Sequence, residues 1–182
     1  CLERARAGRG QVVGIVGEPG VGKSRLVYEF RKSLAGAPLT WLEGHCVAYG
    51  QTTPYLSILD ILRANFQIEE EDNPLQIQEK LREGVRRLDS TLEGILPFLG
   101  ELFALPGEDA ALKKLDPKDK RQKTFEAIRA LMVTGSQRRP HVVILEDLHW
   151  IDKTSEDCLA FVIESLAGLP MLLVTSYRPG YA

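Results

Sequence analysis

One octet near the start of the chain limits what it can fold into more than any other feature. Residues 17–24 read GEPGVGKS and satisfy the spacing G-x-x-x-x-G-K-[ST] in full. Each position has a separate physical reason. Glycine permits backbone angles closed to other residues, so successive N–H groups can turn inward around an anion. A helix opening at Lys23 would aim its positive dipole end at that anion. Lys23 adds a full charge suited to β- and γ-phosphates. Ser24 offers a hydroxyl to Mg²⁺, a cation that takes oxygen ligands and keeps several waters. The candidate nucleotide-binding residues are therefore Gly17, Glu18, Pro19, Gly20, Val21, Gly22, Lys23, Ser24 and Arg25.

The flanks of the octet agree with this reading. Residues 11–16 (QVVGIV) form a short, β-branched apolar run that predicts a buried strand. Residues 23–34 place Leu26, Phe30 and Leu34 at helical spacing, and AGAP ends that helix. Residues 39–44 (LTWLEG) read as a second strand. The strand–helix–strand order predicts an α/β fold with a parallel, doubly wound sheet.

The middle of the chain differs in character. Residues 54–66 and 74–88 carry helical apolar patterns, and 91–105 (TLEGILPFLGELFAL) is apolar but interrupted by Pro97. We expect a helical insertion over about 51–115, with the 91–105 segment packing inside it. Asp116-Pro117 opens a helix expected to run to about Arg138, because proline suits a first helical position. The sheet resumes at 141–145 (HVVIL) and again at 171–175 (MLLVT), runs typical of strands covered on both faces, with a helix over 152–166 between them. The expected organisation is one domain over 1–182, with its core at 9–50 and 138–182.

A second candidate group follows the 141–145 strand, where Glu146 and Asp147 lie side by side. Ligands of open α/β sheets bind outside the carboxyl ends of the strands, so this pair and the octet should share one rim. One carboxylate can hold Mg²⁺, and the other can orient or deprotonate an attacking water. Glu146 takes the metal position and Asp147 the water-activating one, although the division of labour stays open at this point. Arg178 follows the last strand and should reach the same rim, where a guanidinium fork suits phosphate oxygens.

Composition removes other classes. A net charge of −2 gives no general attraction to nucleic acid or anionic membrane. The basic run 118–123 (KDKRQK) includes an acid and lacks aromatics, which predicts a solvated helix face. Three scattered cysteines make neither a disulfide framework nor a zinc pattern, so reduced thiols in the cytoplasm are expected. No apolar run approaches the ~18 residues that cross a bilayer. His45-Cys46 is rejected as a metal pair, since neighbours on a strand point apart and further ligands at useful spacing are lacking. Trp150 is expected to pack and His149 to satisfy a nearby loop.

Taken together, GEPGVGKSRLVYEF, WLEGHCVAYGQTTPYLSILDILR, VVILEDLHWID and LLVTSYRP resemble the AAA-type ATPase module of the STAND class. The resemblance covers residues 9–182, weakly through 65–115. It is nearest to the modules beside bacterial class III adenylate/guanylate cyclase domains and in large LuxR-type transcriptional regulators. It implies a P-loop NTPase of the ASCE type, a three-layer αβα sandwich with the octet's strand beside 171–175 and 39–44 at an edge. Lys23, Ser24, Glu146, Asp147 and Arg178 match the family's functional positions. ATP/ADP and Mg²⁺ are the implied cofactors, and an effector domain elsewhere in a longer chain is the implied partner. The family's fifth strand and winged-helix region are not recognisable, so the chain, which begins at Cys1, is read as a piece without the last strand. The family usually has Asp before Glu where this chain has Glu146 before Asp147, which implies slow turnover. A nucleotide-binding module without hydrolysis, a small-molecule P-loop kinase and a ring-forming DNA motor are the competing readings.

Overall fold

The computed structural model describes residues 1–106 and 112–181. Four strands form one parallel sheet: β1 (Gln11–Val16), β2 (Thr40–His45), β3 (His141–Glu146) and β4 (Met171–Tyr177), in the spatial order β1-β4-β3-β2. The first strand thus lies beside the last and β2 forms the opposite edge, as the family resemblance implies. Seven helices accompany the sheet among the described residues. They are α1 (Leu2–Arg6), α2 (Lys23–Ser33), α3 (Leu56–Phe66), α4 (Pro74–Leu88), α5 (Leu96–Leu102), α6 (Pro117–Arg138) and α7 (Lys153–Ile163).

The alternation of side chains along β3 and β4 sorts these helices into two outer layers. Val143, Leu145, Met171 and Leu173 face one core, built with Ile61 and Leu62 of α3, Leu81 and Val85 of α4, Leu99 of α5, Ile128 of α6 and Cys158 of α7. Val142, Ile144, Leu172 and Val174 face the other, closed by Ala5 of α1 and Val27 of α2. Every residue of β3 is buried, which explains its unbroken apolar run. The architecture is the three-layer αβα sandwich of a P-loop NTPase.

Several expectations are corrected. β1 is not a buried strand: at the end of the sheet it is covered on one face only, and Val12 and Val16 are 50% and 52% exposed on the other. Its continuous apolar sequence carries no sign of that half-bare setting. The opening residues, left outside the expected core, form α1, whose Ala5 is buried against the sheet. Pro97 does not break the 91–105 segment but starts a helix. A 3-10 turn at Ser90–Ile95 hands over to α5 with Pro97 in its first turn, where the missing N–H costs nothing. That segment packs widely, with Leu99 fully buried in the larger core. The basic run on α6 is a solvated face as expected, and ion-paired: Lys120 pairs with Glu101, Lys123 with Glu126, and Arg121 with Asp157. No helix among the described residues is long and apolar enough to cross a membrane.

Candidate functional site

The octet connects β1 to α2 at the carboxyl end of the sheet. Gly20 and Gly22 have φ of 79° and 99°, in the left-handed region where a side chain is strained, and Gly22 is the residue that caps α2. Gly17 N–H donates to the Tyr177 carbonyl of β4 (3.3 Å), anchoring the loop's entry to the neighbouring strand. Lys23 Nζ donates to the carbonyls of Gly17 (2.8 Å) and Glu18 (3.2 Å), folding back over its own loop. Glu18, Pro19 and Val21 are exposed along the loop. Arg25 stands apart on the outer side of α2, paired with Glu29 at 2.5 Å and set over the Tyr28 ring.

Glu146 closes β3 with its carboxylate on the α2 side of the sheet, in phase with Val142 and Ile144. There the Ser24 hydroxyl donates to Glu146 Oε2 at 2.5 Å, joining residues 122 positions apart. These two oxygen groups, a hydroxyl and a carboxylate, are the donor types Mg²⁺ takes. Asp147 behaves differently from its neighbour. Its backbone lies in the left-handed region (φ 54°, ψ 43°), and its N–H donates to Ser176 Oγ of β4 (3.1 Å). The chain turns sharply here, at the end of β3.

The turn after Asp147 carries His149 and Trp150, whose rings lie 5.1 Å apart. Arg178 stacks over the Trp150 ring at 5.7 Å, which brings its guanidinium to the same rim. His149 is not satisfied by a neighbouring loop, contrary to expectation. Both ring nitrogens are shut off from solvent and have no hydrogen-bond partner. Desolvation, and then the nearby Arg178 cation, hold His149 below its ordinary value, which favours the neutral ring. Ser176 is the residue sequence reading missed. It is buried, and its only advance signal was its place two residues before Arg178.

His45 and Cys46 do point apart, as expected: His45 is exposed, while Cys46 is buried and its thiol is pushed up to about 11 by burial. The expectation that no further donors accompany His45 fails, because Glu43 and Glu146 lie beside it.

A parallel sheet between two helical layers, with a glycine-bent loop and a strand-end acid meeting on one rim, defines the class of P-loop α/β proteins. The chain belongs to the AAA ATPase domain family, whose sequence pattern matches residues 1–174. Arg178 lies just beyond that match. The chain is also similar to an uncharacterized protein of Rhizobium meliloti (strain 1021), at 32% identity over 185 residues. That alignment covers 97% of this chain and 17% of the relative, so the chain spans about a sixth of the relative's length.

Proposed function

We propose that this chain is an ATP-binding, slowly hydrolysing switch module of a larger signalling protein, with the effector a nucleotide cyclase or a DNA-binding regulator. The observation that carries the nucleotide reading is the Ser24–Glu146 contact at 2.5 Å, which joins the phosphate-type loop to the strand-end carboxylate. The backbone N–H groups of Gly20, Gly22, Lys23 and Ser24 and the Lys23 ammonium cradle the phosphates. Lys23 would exchange its present bonds to Gly17 and Glu18 carbonyls for phosphate oxygens. Ser24 and Glu146 would hold Mg²⁺, which supplies charge neutralisation at the phosphates when bound. Asp147 orients and accepts a proton from the attacking water, and Arg178 reads the terminal phosphate from its seat on Trp150. The resemblance and the far greater length of the Rhizobium relative support a switch within a larger chain. Its three free thiols suit the reducing cytoplasm.

The order Glu146–Asp147 favours a second reading, nucleotide binding without turnover, because the water-activating carboxylate is one methylene shorter than a Glu. One set of measurements decides between them: equilibrium ATP affinity and phosphate release for the parent, Lys23→Ala and Asp147→Asn. The switch reading expects Lys23→Ala to lose affinity, and Asp147→Asn to keep affinity while phosphate release falls about 100-fold or more. Binding in the parent with no release supports the second reading. Affinity unchanged by Lys23→Ala overturns both.

A further inference from the structure

Glu43, His45 and Glu146 each present a ligand atom, and the three atoms lie within 4.8 Å of one another. Sheet geometry explains why they meet. Glu43 and His45 are two residues apart on β2 and so share a face, and His45 is paired directly with Glu146 on β3. Glu43 and Glu146 are also held from behind, and His45 has a carboxylate close by. Glu43 Oε2 accepts from Trp41 Nε1 (2.9 Å) and Arg31 Nη1 (3.2 Å), which leaves Oε1 facing His45 Nε2 at 3.6 Å. His45 Nδ1 faces Asp60 Oδ2 at 4.0 Å, and the same carboxylate oxygen accepts the His45 backbone N–H at 3.3 Å. Glu146 Oε2 accepts from Ser24, leaving its second oxygen available. A small rotation of the exposed imidazole would let its far nitrogen donate to Asp60, the arrangement that orients metal-ligating histidines.

The donor set selects the ion. One imidazole and two carboxylates suit Zn²⁺ or a similar first-row dication, whereas Mg²⁺ prefers an all-oxygen octahedron. A tetrahedral shell with bonds of about 2.1 Å spaces its donors about 3.4 Å apart. Small side-chain rotations of the exposed His45 and half-buried Glu43 close the difference. The geometry points to a transition-metal site at Glu43, His45 and Glu146, oriented by Asp60 and distinct from the Ser24 side of Glu146. Three protein ligands leave a fourth position open. A consequence rests on the functional reading above: an ion here competes for Glu146, so Zn²⁺ antagonises nucleotide binding with Mg²⁺.

Metal binding is measured first, without nucleotide, on the chain carrying Cys1→Ser so that its exposed thiol does not compete. Co²⁺ absorption reports coordination, and competition of Zn²⁺ with a chelating dye gives affinity. The expected result is one ion per chain, with affinity about 10-fold weaker or more in Asp60→Asn and weaker still in His45→Ala. Absence of saturable uptake overturns the site. Affinity in His45→Ala and His45→Gln equal to the parent's, with melting curves like the parent's, overturns it too. The second arm measures ATP affinity with and without Zn²⁺. Weakening in the parent but not in His45→Ala supports the antagonism, and weakening in both overturns it. A chain that binds Zn²⁺ as expected but no ATP sinks the functional reading alone.

Discussion

Asp147 holds a left-handed backbone that costs a non-glycine residue on the order of 1 kcal/mol, and it persists because Ser176 accepts its N–H at 3.1 Å. Strain kept at one residue beside a phosphate-type loop is a feature that function can retain against stability. Asp147→Gly relieves the strain, so thermal melting should show the variant as stable as the parent or higher by up to about 1 kcal/mol, while phosphate release is lost. A lower melting temperature would mean the Asp147 side chain holds the turn. The neighbouring Glu146 is reached by a different route. Its place on the α2 side follows from strand phase, and the change Glu146→Gln should weaken the Mg²⁺ dependence of ATP binding more than it weakens Mg²⁺-free binding.

At the scale of elements, packing outweighs local signals. α4 has the most complete local start among the described helices: the Asn73 side chain accepts from Leu75 and Gln76 N–H groups, Gln76 reaches back to Asn73 N–H, and Pro74 fills the first turn. Asn73→Ala should therefore cost about 1 kcal/mol in urea unfolding. Ile144 in β3 is fully buried, and Ile144→Ala should cost about 2–5 kcal/mol with no change in denaturant slope. Val12 has the same apolar character in sequence but half of it is bare, and Val12→Thr should shift stability by no more than about 0.5 kcal/mol. An equal cost at Val12 and at Ile144 would contradict the one-sided cover of β1. The strand run of β1 and that of β3 read alike, because β-branched apolar residues mark a strand without marking its place in the sheet.

Over the whole molecule, pH acts through a buried histidine at the seam between α6 and the sheet. His141 opens β3, its Nδ1 lies 2.8 Å from the Arg139 carbonyl, and burial holds its pKa below the ordinary value. The unfolded chain takes up a proton near about 6.5, while the folded chain resists it. Stability is therefore full above about 6.5 and falls as pH drops below it, toward the folded-state value. His149, also lowered, acts with the same sign. Melting temperatures should decline as pH falls from about 6.5 to 5.5, and His141→Gln should flatten that decline whatever its effect on the absolute melting point. An unchanged slope would show that His141 protonates without cost.

The sequence by itself determined the loop at 17–24, the alternation of strands and helices, and the acidic strand end, because each is written in residues close along the chain. It also carried the parallel sheet, since strands separated by helices leave few other connections. The shared rim and the strand order were expected from the rule for open sheets and from the family resemblance; tertiary structure alone decided which side chains touch. The two-residue period of a strand assigns side chains to faces but does not say which strand lies alongside or in what register. The order β1-β4-β3-β2 sets Glu146 against Ser24 and His45 and bares one face of β1, and packing leaves both His149 ring nitrogens covered without a partner. Each is a contact across the fold, settled by register and packing.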